Sequence, residues 1–366
     1  MMGLPAGLGL FGTGIIIPPS LQGHLNTWGS NTNGRLGDGT TLSRSSPVQI
    51  GSDVDWDMLS LGGLHSLAIK AGKLFAWGGN TYGALGDGTT VSKSSPVQIG
   101  TETDWEFVKA GISTSFGIRA GKLFAWGSNT NGCLGDGTTV SKSSPIQIGA
   151  ATDWEFVTAG QFHTLAIRAG KLFAWGNNSY GCLGDGTTVN KSSPVQIGLG
   201  TNWTHAAAGG TRFSLGVYLN KLFTWGNAYY GKLGNGTTSG SKSSPIQIGA
   251  ATDWEMVTAG KYHALAVRGG KAFAWGRNNK GQVGNASVGG NINSPIQVGV
   301  ATDWLSIEAG HSHSIGRRAN GLFAWGFNNQ GQVGDGTIID KSSPVQIGTE
   351  TWLSISAGSY NSGGIR

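Results

Sequence analysis

Residues 122–149 read KLFAWGSNTNGCLGDGTTVSKSSPIQIG, and the chain writes nearly the same sentence seven times. The Trp-Gly pair sets the clock, with Trp28, Trp77, Trp126, Trp175, Trp225, Trp275 and Trp325 spaced by 49 or 50 residues. Seven further tryptophans, Trp56, Trp105, Trp154, Trp203, Trp254, Trp304 and Trp352, form a second register, and Pro47, Pro96, Pro145, Pro194, Pro245, Pro295 and Pro344 a third. A period near 50 is the signature of a repeat architecture in which each unit needs neighbours to bury its apolar face.

Within one unit the apolar pattern alternates with a period of two and is broken by turn residues. Residues 154–160 (WEFVTAG), 163–168 (HTLAIR), 171–176 (KLFAWG) and 193–198 (SPVQIG) each suit a short strand. The pair in RAGK predicts a tight hairpin, and the Gly, Asn and Asp residues of NNSYGCLGDGTTVNKS predict a long irregular loop. Four short antiparallel strands per unit describe a propeller blade, and no helix is expected. The last residues end where another unit would continue into AGKLFAWG, and the first unit opens with QGHLNTWG, the strand that is missing. The sequence therefore predicts an all-β, seven-bladed β-propeller of four-stranded antiparallel blades over residues 22–366, closed by a composite blade built from both termini.

Composition agrees with that reading. Glycine is 65 of 366 residues, charged residues are 12% and apolar residues 38%, which argues for a folded, turn-rich chain and against disorder. A net charge of +6 is small for this length, so nucleic-acid binding is permitted and not indicated. Cys133 and Cys182 are one period apart, too far for a disulfide, and read as incidental thiols. The stretch GLGLFGTGIIIPPS is too short and too glycine-rich to span a membrane, and no secretory leader is evident.

The run GGLHSLAI at residues 62–69 and the recurring WGxNxxGxLGDGT resemble the repeats of the regulator of chromosome condensation family. The resemblance covers roughly residues 22–366 and implies the seven-bladed propeller of that family. It says little about function, because one fold serves many.

The recurring residues read as structural. His65, His163, His263 and His313 share one strand position with no carboxylate or second ligand at a fixed offset, which favours hydrogen bonding over metal binding. Asp38, Asp87, Asp136, Asp185 and Asp335 of the LGDGT loops suit Asx turns better than calcium sites, since each loop offers one carboxylate. No nucleophile, phosphate cradle or cofactor motif rises above the repetition, so neither an enzyme nor a cofactor is expected. Basic RAGK hairpins and acidic TDW turns should interleave on one rim and cancel, which argues against DNA.

The opposite rim should carry the long loops, whose copies vary on both sides of one glycine. Asn33, Tyr82, Asn131, Tyr180, Tyr230, Lys280 and Gln330 precede it, and Arg35, Ala84, Cys133, Cys182, Lys232, Gln282 and Gln332 follow it; variation on fixed loops is how a propeller presents a recognition face, with Tyr82, Tyr180, Tyr230, Lys280 and Gln330 its candidate contacts. Residues 1–21 fall outside the repeat, and Leu8, Leu10, Phe11, Ile15, Ile16 and Ile17 would expose apolar surface there. They are expected to dock on a partner protein or to fold back on the propeller. Three functional classes follow. The leading one is a non-enzymatic structural or adhesive module, such as a component of a phage virion or surface appendage, docked through residues 1–21 with a surface ligand at the loop rim. The others are nucleotide exchange on a small GTPase with chromatin binding, and a secreted enzyme inhibitor.

Overall fold

In the computed structural model, which describes residues 22–366, twenty-eight strands numbered in chain order make seven four-stranded antiparallel sheets. A representative blade consists of β11 (Trp154–Ala159), β12 (His163–Arg168), β13 (Lys171–Gly176) and β14 (Lys191–Gln196). The composite blade has the order β2 (Arg44–Gln49), β1 (Leu25–Gly29), β28 (Asn361–Ile365), β27 (Ser354–Ala357). Its β1 and β28 pair in unbroken register from Leu25 opposite Ile365 to Gly29 opposite Asn361. Closure by both ends thus removes two sheet edges that would otherwise be left unpaired.

The fourth strand begins earlier than the sequence pattern suggests, at Lys191 and not Ser193, and stops at Gln196. A register shift between Ala174 and Gly176 sets Lys191 opposite Gly176, so pairing reaches past the alternating segment. Pro194 is tolerated because this strand is the outer edge of its blade, where no ladder hydrogen bond is required of it. The RAGK hairpin is a two-residue turn with Ala169 at φ 47° and Gly170 at φ 67°, the left-handed pair that matches strand twist. Against the expectation of no helix, single 3-10 turns occur in three long loops, at Thr32–Gly34, Thr130–Gly132 and Tyr229–Gly231.

Blades join along seams built on one backbone oxygen. The Trp175 indole N–H and the Thr164 hydroxyl both donate to the Cys133 carbonyl of the preceding blade's long loop, at 2.9 and 2.8 Å. All seven first-register tryptophans make this bond and are fully buried. The indole edge presses so close that a Cβ on Gly135, at φ +86°, would lie 2.7 Å from Trp175 Nε1. Second-register tryptophans are also buried and pack edge-on within the blade, as Trp154 does on Phe173 at 5.3 Å and 67°.

Four histidines extend the seam through the structural hydrogen bonding expected of them. His163 Nε2 meets Ser214 Oγ of the next blade at 2.9 Å, and that hydroxyl donates to Cys182 O at 2.7 Å, so the ring nitrogen must donate. His65, His263 and His313 repeat the arrangement. Where the histidine is replaced by Phe213, the serine of the following blade is replaced by Ala264, and both sit in one apolar cluster. The polar pair has been exchanged as a pair, which leaves no orphaned hydroxyl or ring nitrogen.

Three outcomes are expected. Trp175→Ala should cost about 3–5 kcal/mol in denaturant unfolding. Phe213→His should destabilise by about 1–3 kcal/mol, and adding Ala264→Ser should recover most of it, read as a double-mutant cycle. Burial, aided by nearby cations or histidines, pushes the four seam histidines down to about 3 (His65, His263, His313) and about 4 (His163). They bind protons only when unfolded, so stability should be full above about pH 6.5 and fall with pH below it, by about 1.4 kcal/mol per pH unit for each histidine. A thermal midpoint that is flat between pH 7 and 5 would refute this.

Candidate functional site

The long loops lie on one face and are held rigid by their own polar residues. In the β13–β14 loop, Asn178 Nδ2 donates to Asp185 Oδ1 at 2.9 Å, while Thr187 donates through N and Oγ1 at 3.0 and 2.8 Å. Lys191 adds an ion pair at 3.6 Å, and Leu183 N donates to Asn178 Oδ1 at 2.9 Å. This is the expected Asx turn, repeated at Asp38, Asp87, Asp136 and Asp335. Burial would raise these carboxyl pKa values, but the hydroxyl, amide and cationic donors outweigh it and hold all five below the ordinary range. Their oxygens are already committed to those donors, and among the described residues no three His, Cys, Asp or Glu side chains cluster as a metal site.

The opposite rim carries the hairpins, where the interleaved charges pair off. Arg318 lies 2.6 Å from Asp303, Lys70 2.7 Å from Asp53, Arg119 3.0 Å from Glu102 and Arg168 3.4 Å from Asp153. These cations also cap the second tryptophan register, with Arg168 5.4 Å from the Trp154 ring centre. Between the rims, the innermost strands enclose an axial cavity of roughly 90 Å3 lined by Lys109, Thr158, Thr258 and Glu308, among others. Burial pushes the Glu308 carboxyl up to about 7, against Lys109 and a hydrogen bond from Thr258.

The residues predicted to form a recognition face separate into two sets. Tyr82, Tyr180, Tyr230, Lys280 and Gln330 do reach the loop face. Tyr82 is half exposed, at 49%, and makes no ring contact among the described residues. Tyr180 lies under Arg212 at 5.6 Å, and Tyr230, at φ 66°, meets Tyr262 edge-on at 5.5 Å. Lys280 sits 4.9 Å from the Phe327 ring and 3.3 Å from Asp340, while the Gln330 N–H donates to Gln332 Oε1 at 2.9 Å. The second variable position is a correction: Arg35, Ala84, Cys133, Cys182, Lys232, Gln282 and Gln332 are all buried. Each follows a left-handed glycine that turns its side chain inward, and its carbonyl is the seam acceptor. Burial pushes the Cys133 and Cys182 thiols up to about 12, and neither is in a disulfide. Leu8, Leu10, Phe11, Ile15, Ile16 and Ile17 lie outside the described residues.

Sequence reasoning missed the turns between first and second strands, which ring the axial cavity on this same face. Tyr262 and His311 meet edge-on at 5.6 Å, and His311 stacks on Tyr360 at 4.9 Å and 26°. Burial, then Lys261 and Arg277, push the His311 pKa down to about 4, so the ring is neutral at pH 7. One signal was available: the turn before Phe213, GGTR, is one residue longer than its six counterparts.

The family model described as Regulator of chromosome condensation (RCC1) repeat matches residues 22–69, 71–118, 120–167, 169–215, 220–267, 269–316 and 320–365. No curated protein sequence matches the chain. Among solved structures it is similar to human WBSCR16, at 20% identity over 93% of this chain and 98% of that one, with a TM-score of 0.83. It is also similar to Prp20p from Saccharomyces cerevisiae, described with binding properties to Gsp1p and histones, at 22% identity over 96% and 93%, TM-score 0.84. Yeast RCC1 (Prp20) with Kap60 bound gives 20% identity over 100% and 94%, TM-score 0.83. At these identities the likeness speaks to the fold alone.

The lowered aspartate pKa values set an acid test of the loops. The loop stability these carboxylates provide is present above about pH 4 and lost as pH falls through their folded values. The side-chain amide NMR signals of Asn129 and Asn178 should titrate there, while that of Asn278, whose partner is Asn285, stays still.

Proposed function

The chain belongs to the regulator of chromosome condensation repeat family, and from that premise we propose that it is a non-enzymatic propeller that binds protein partners through its loop face. One contrast supports this reading most directly. On the hairpin rim Lys70, Arg168, Arg268 and Arg318 each lie beside a carboxylate, whereas the loop face holds unlike side chains at equivalent, rigidly fixed positions. Fixed loops with varied tips lower the ordering cost of binding. Those tips include half-exposed Tyr82 and Tyr230, the amphipathic residue type enriched at protein interfaces.

The finer reading places the protein in a phage virion or surface appendage, outside the cell, with residues 1–21 as its docking segment. It rests on the near-identity of the repeats and on the apolar run from Leu8 to Ile17. Nucleotide exchange would call for a wedge projecting from one blade, and the described blades keep loop lengths within about two residues of one another.

A photo-reactive amino acid placed at Tyr82, Tyr180, Tyr230 or Gln330 of the full chain should cross-link one and the same protein in its native source, and the same group at Glu155 or Lys171 should not. Cross-links confined to the hairpin rim would overturn the assignment of the face. Deleting residues 1–21 should leave the thermal midpoint within about 2 °C and abolish incorporation into the assembly; normal incorporation would remove the docking role.

A further inference from the structure

The sevenfold pattern breaks on one sector of the loop face, where carboxylates are lost and cations gathered, even though Ile292 stands where the other blades open their fourth strand with a lysine or arginine. Two adjacent blades are involved: β15 (Trp203–Ala208) to β18 (Lys242–Gln247), and β19 (Trp254–Ala259) to β22 (Asn291–Gln297). They carry Asn235 and Asn285 where the other five have the loop aspartate. The two carboxylates between residues 203 and 297, Asp253 and Glu255, both serve the hairpin rim, where they hold Arg268 and the Gly269 N–H. The same blades bring Arg212, Lys242, Lys261, Arg277 and Lys280 to the loop face and hold Lys232 buried at a loop root. Among the described residues, Lys280 is the one of these six that forms an ion pair, with Asp340 of the next blade.

Several of these cations are held in place by rings. The Arg212 guanidinium lies 5.2 Å from the Phe162 ring centre and 5.6 Å from that of Tyr180. Arg277 is 5.1 Å from both Tyr230 and Tyr262, and Lys261 is 5.1 Å from Tyr262. Thr211 Oγ1 donates to Lys261 O at 2.6 Å and accepts from the buried Lys232 Nζ at 2.7 Å, which ties the two blades together here. Arg212 Nε is buried and has no hydrogen-bond partner among the described residues. Arg212 also sits at φ 58°, and Tyr230 at φ 66°, a backbone region costly for large side chains. Cations gathered without counter-charges, one with an unused donor, make a surface that an anion would stabilise.

We infer that this arc binds an acidic protein segment, a run of Asp and Glu side chains laid across Arg212, Lys261 and Arg277; the assignment rests on the loop face being the recognition surface. Guanidinium groups take carboxylates in a two-point fork, and groups already seated over rings lose little freedom on doing so. A nucleic acid fits less well. Tyr262 packs edge to face with both Tyr230 and His311, cations cover the two tyrosines and Tyr360 stacks on His311, so these rings offer no free platform for bases. The paired carboxylates Asp185, Asp335 and Asp340 flank the arc and would repel a longer phosphate chain.

The test uses the full chain and a fluorescein-labelled 12-residue peptide of alternating Glu and Gly, read by anisotropy against a Lys–Gly peptide and a 12-nucleotide single-stranded DNA. The acidic peptide should bind, weaken as salt rises, and lose at least tenfold affinity with Lys261→Glu/Arg277→Glu, with a circular dichroism spectrum unchanged. The neutral pair Lys261→Gln/Arg277→Gln should lose several-fold, which keeps the test valid if the reversal fails to fold, and Lys122→Glu/Lys171→Glu on the hairpin rim should lose little. Absence of binding, equal losses at both rims, or tighter binding of the DNA would each overturn the proposal. If the loop-face cross-link persists in the Lys261→Gln/Arg277→Gln chain and the acidic peptide does not compete with it, the acidic ligand fails while the loop-face reading stands; loss of cross-linking from the whole face in the unaltered chain removes both.

Discussion

One backbone carbonyl per blade, at the end of each long loop, organises this protein. It accepts the indole N–H of the following blade in all seven seams and a Ser or Thr hydroxyl in six. Because donor and acceptor come from different blades, the bond fixes blade spacing, buries the tryptophan and anchors the loop at once. A buried indole N–H without that acceptor would carry a desolvation penalty of about 1–3 kcal/mol. The left-handed glycine beside each indole follows from the same contact, since any side chain there would displace the ring.

Anchoring the loop roots frees the loop tips for other uses. The side chain after the variable glycine turns into the seam, so it varies only within what the seam accommodates, from Ala84 to Lys232. The residue before that glycine faces out. The histidine–serine bridges obey the same logic, and in one seam both members of the bridge are replaced together, by Phe213 and Ala264. That exchange falls between the β15–β18 and β19–β22 blades, the two that also lose their loop aspartates.

Charge is distributed in two ways on the two rims. On the hairpin rim, arginines and lysines cap tryptophans and meet carboxylates within a few ångströms, so the rim has little net field. On the loop face, five blades balance their aspartates locally and two do not. The small positive charge of the whole chain therefore conceals a concentrated one.

By itself the sequence determined the blade count, the strand order and the closure by both ends, because a period of 50 with two tryptophan registers leaves few other ways to bury fourteen indoles. It also identified the Asx turns and a hydrogen-bonding role for the histidines, since both depend on residues close in the chain or repeated at the same strand position, whereas the serine each histidine meets across the seam came from the fold. Tertiary structure decided which of two neighbouring variable positions faces solvent: a left-handed glycine separates Tyr230 from Lys232, and the reversal it imposes cannot be read from residue type. It also decided that Arg212, Lys261 and Arg277, 65 residues apart from first to last, share one surface, because turns from successive blades meet around the axis. Local pattern is carried by periodicity, whereas the meeting of different units at a rim depends on how far each blade turns from the last, and no single repeat encodes that.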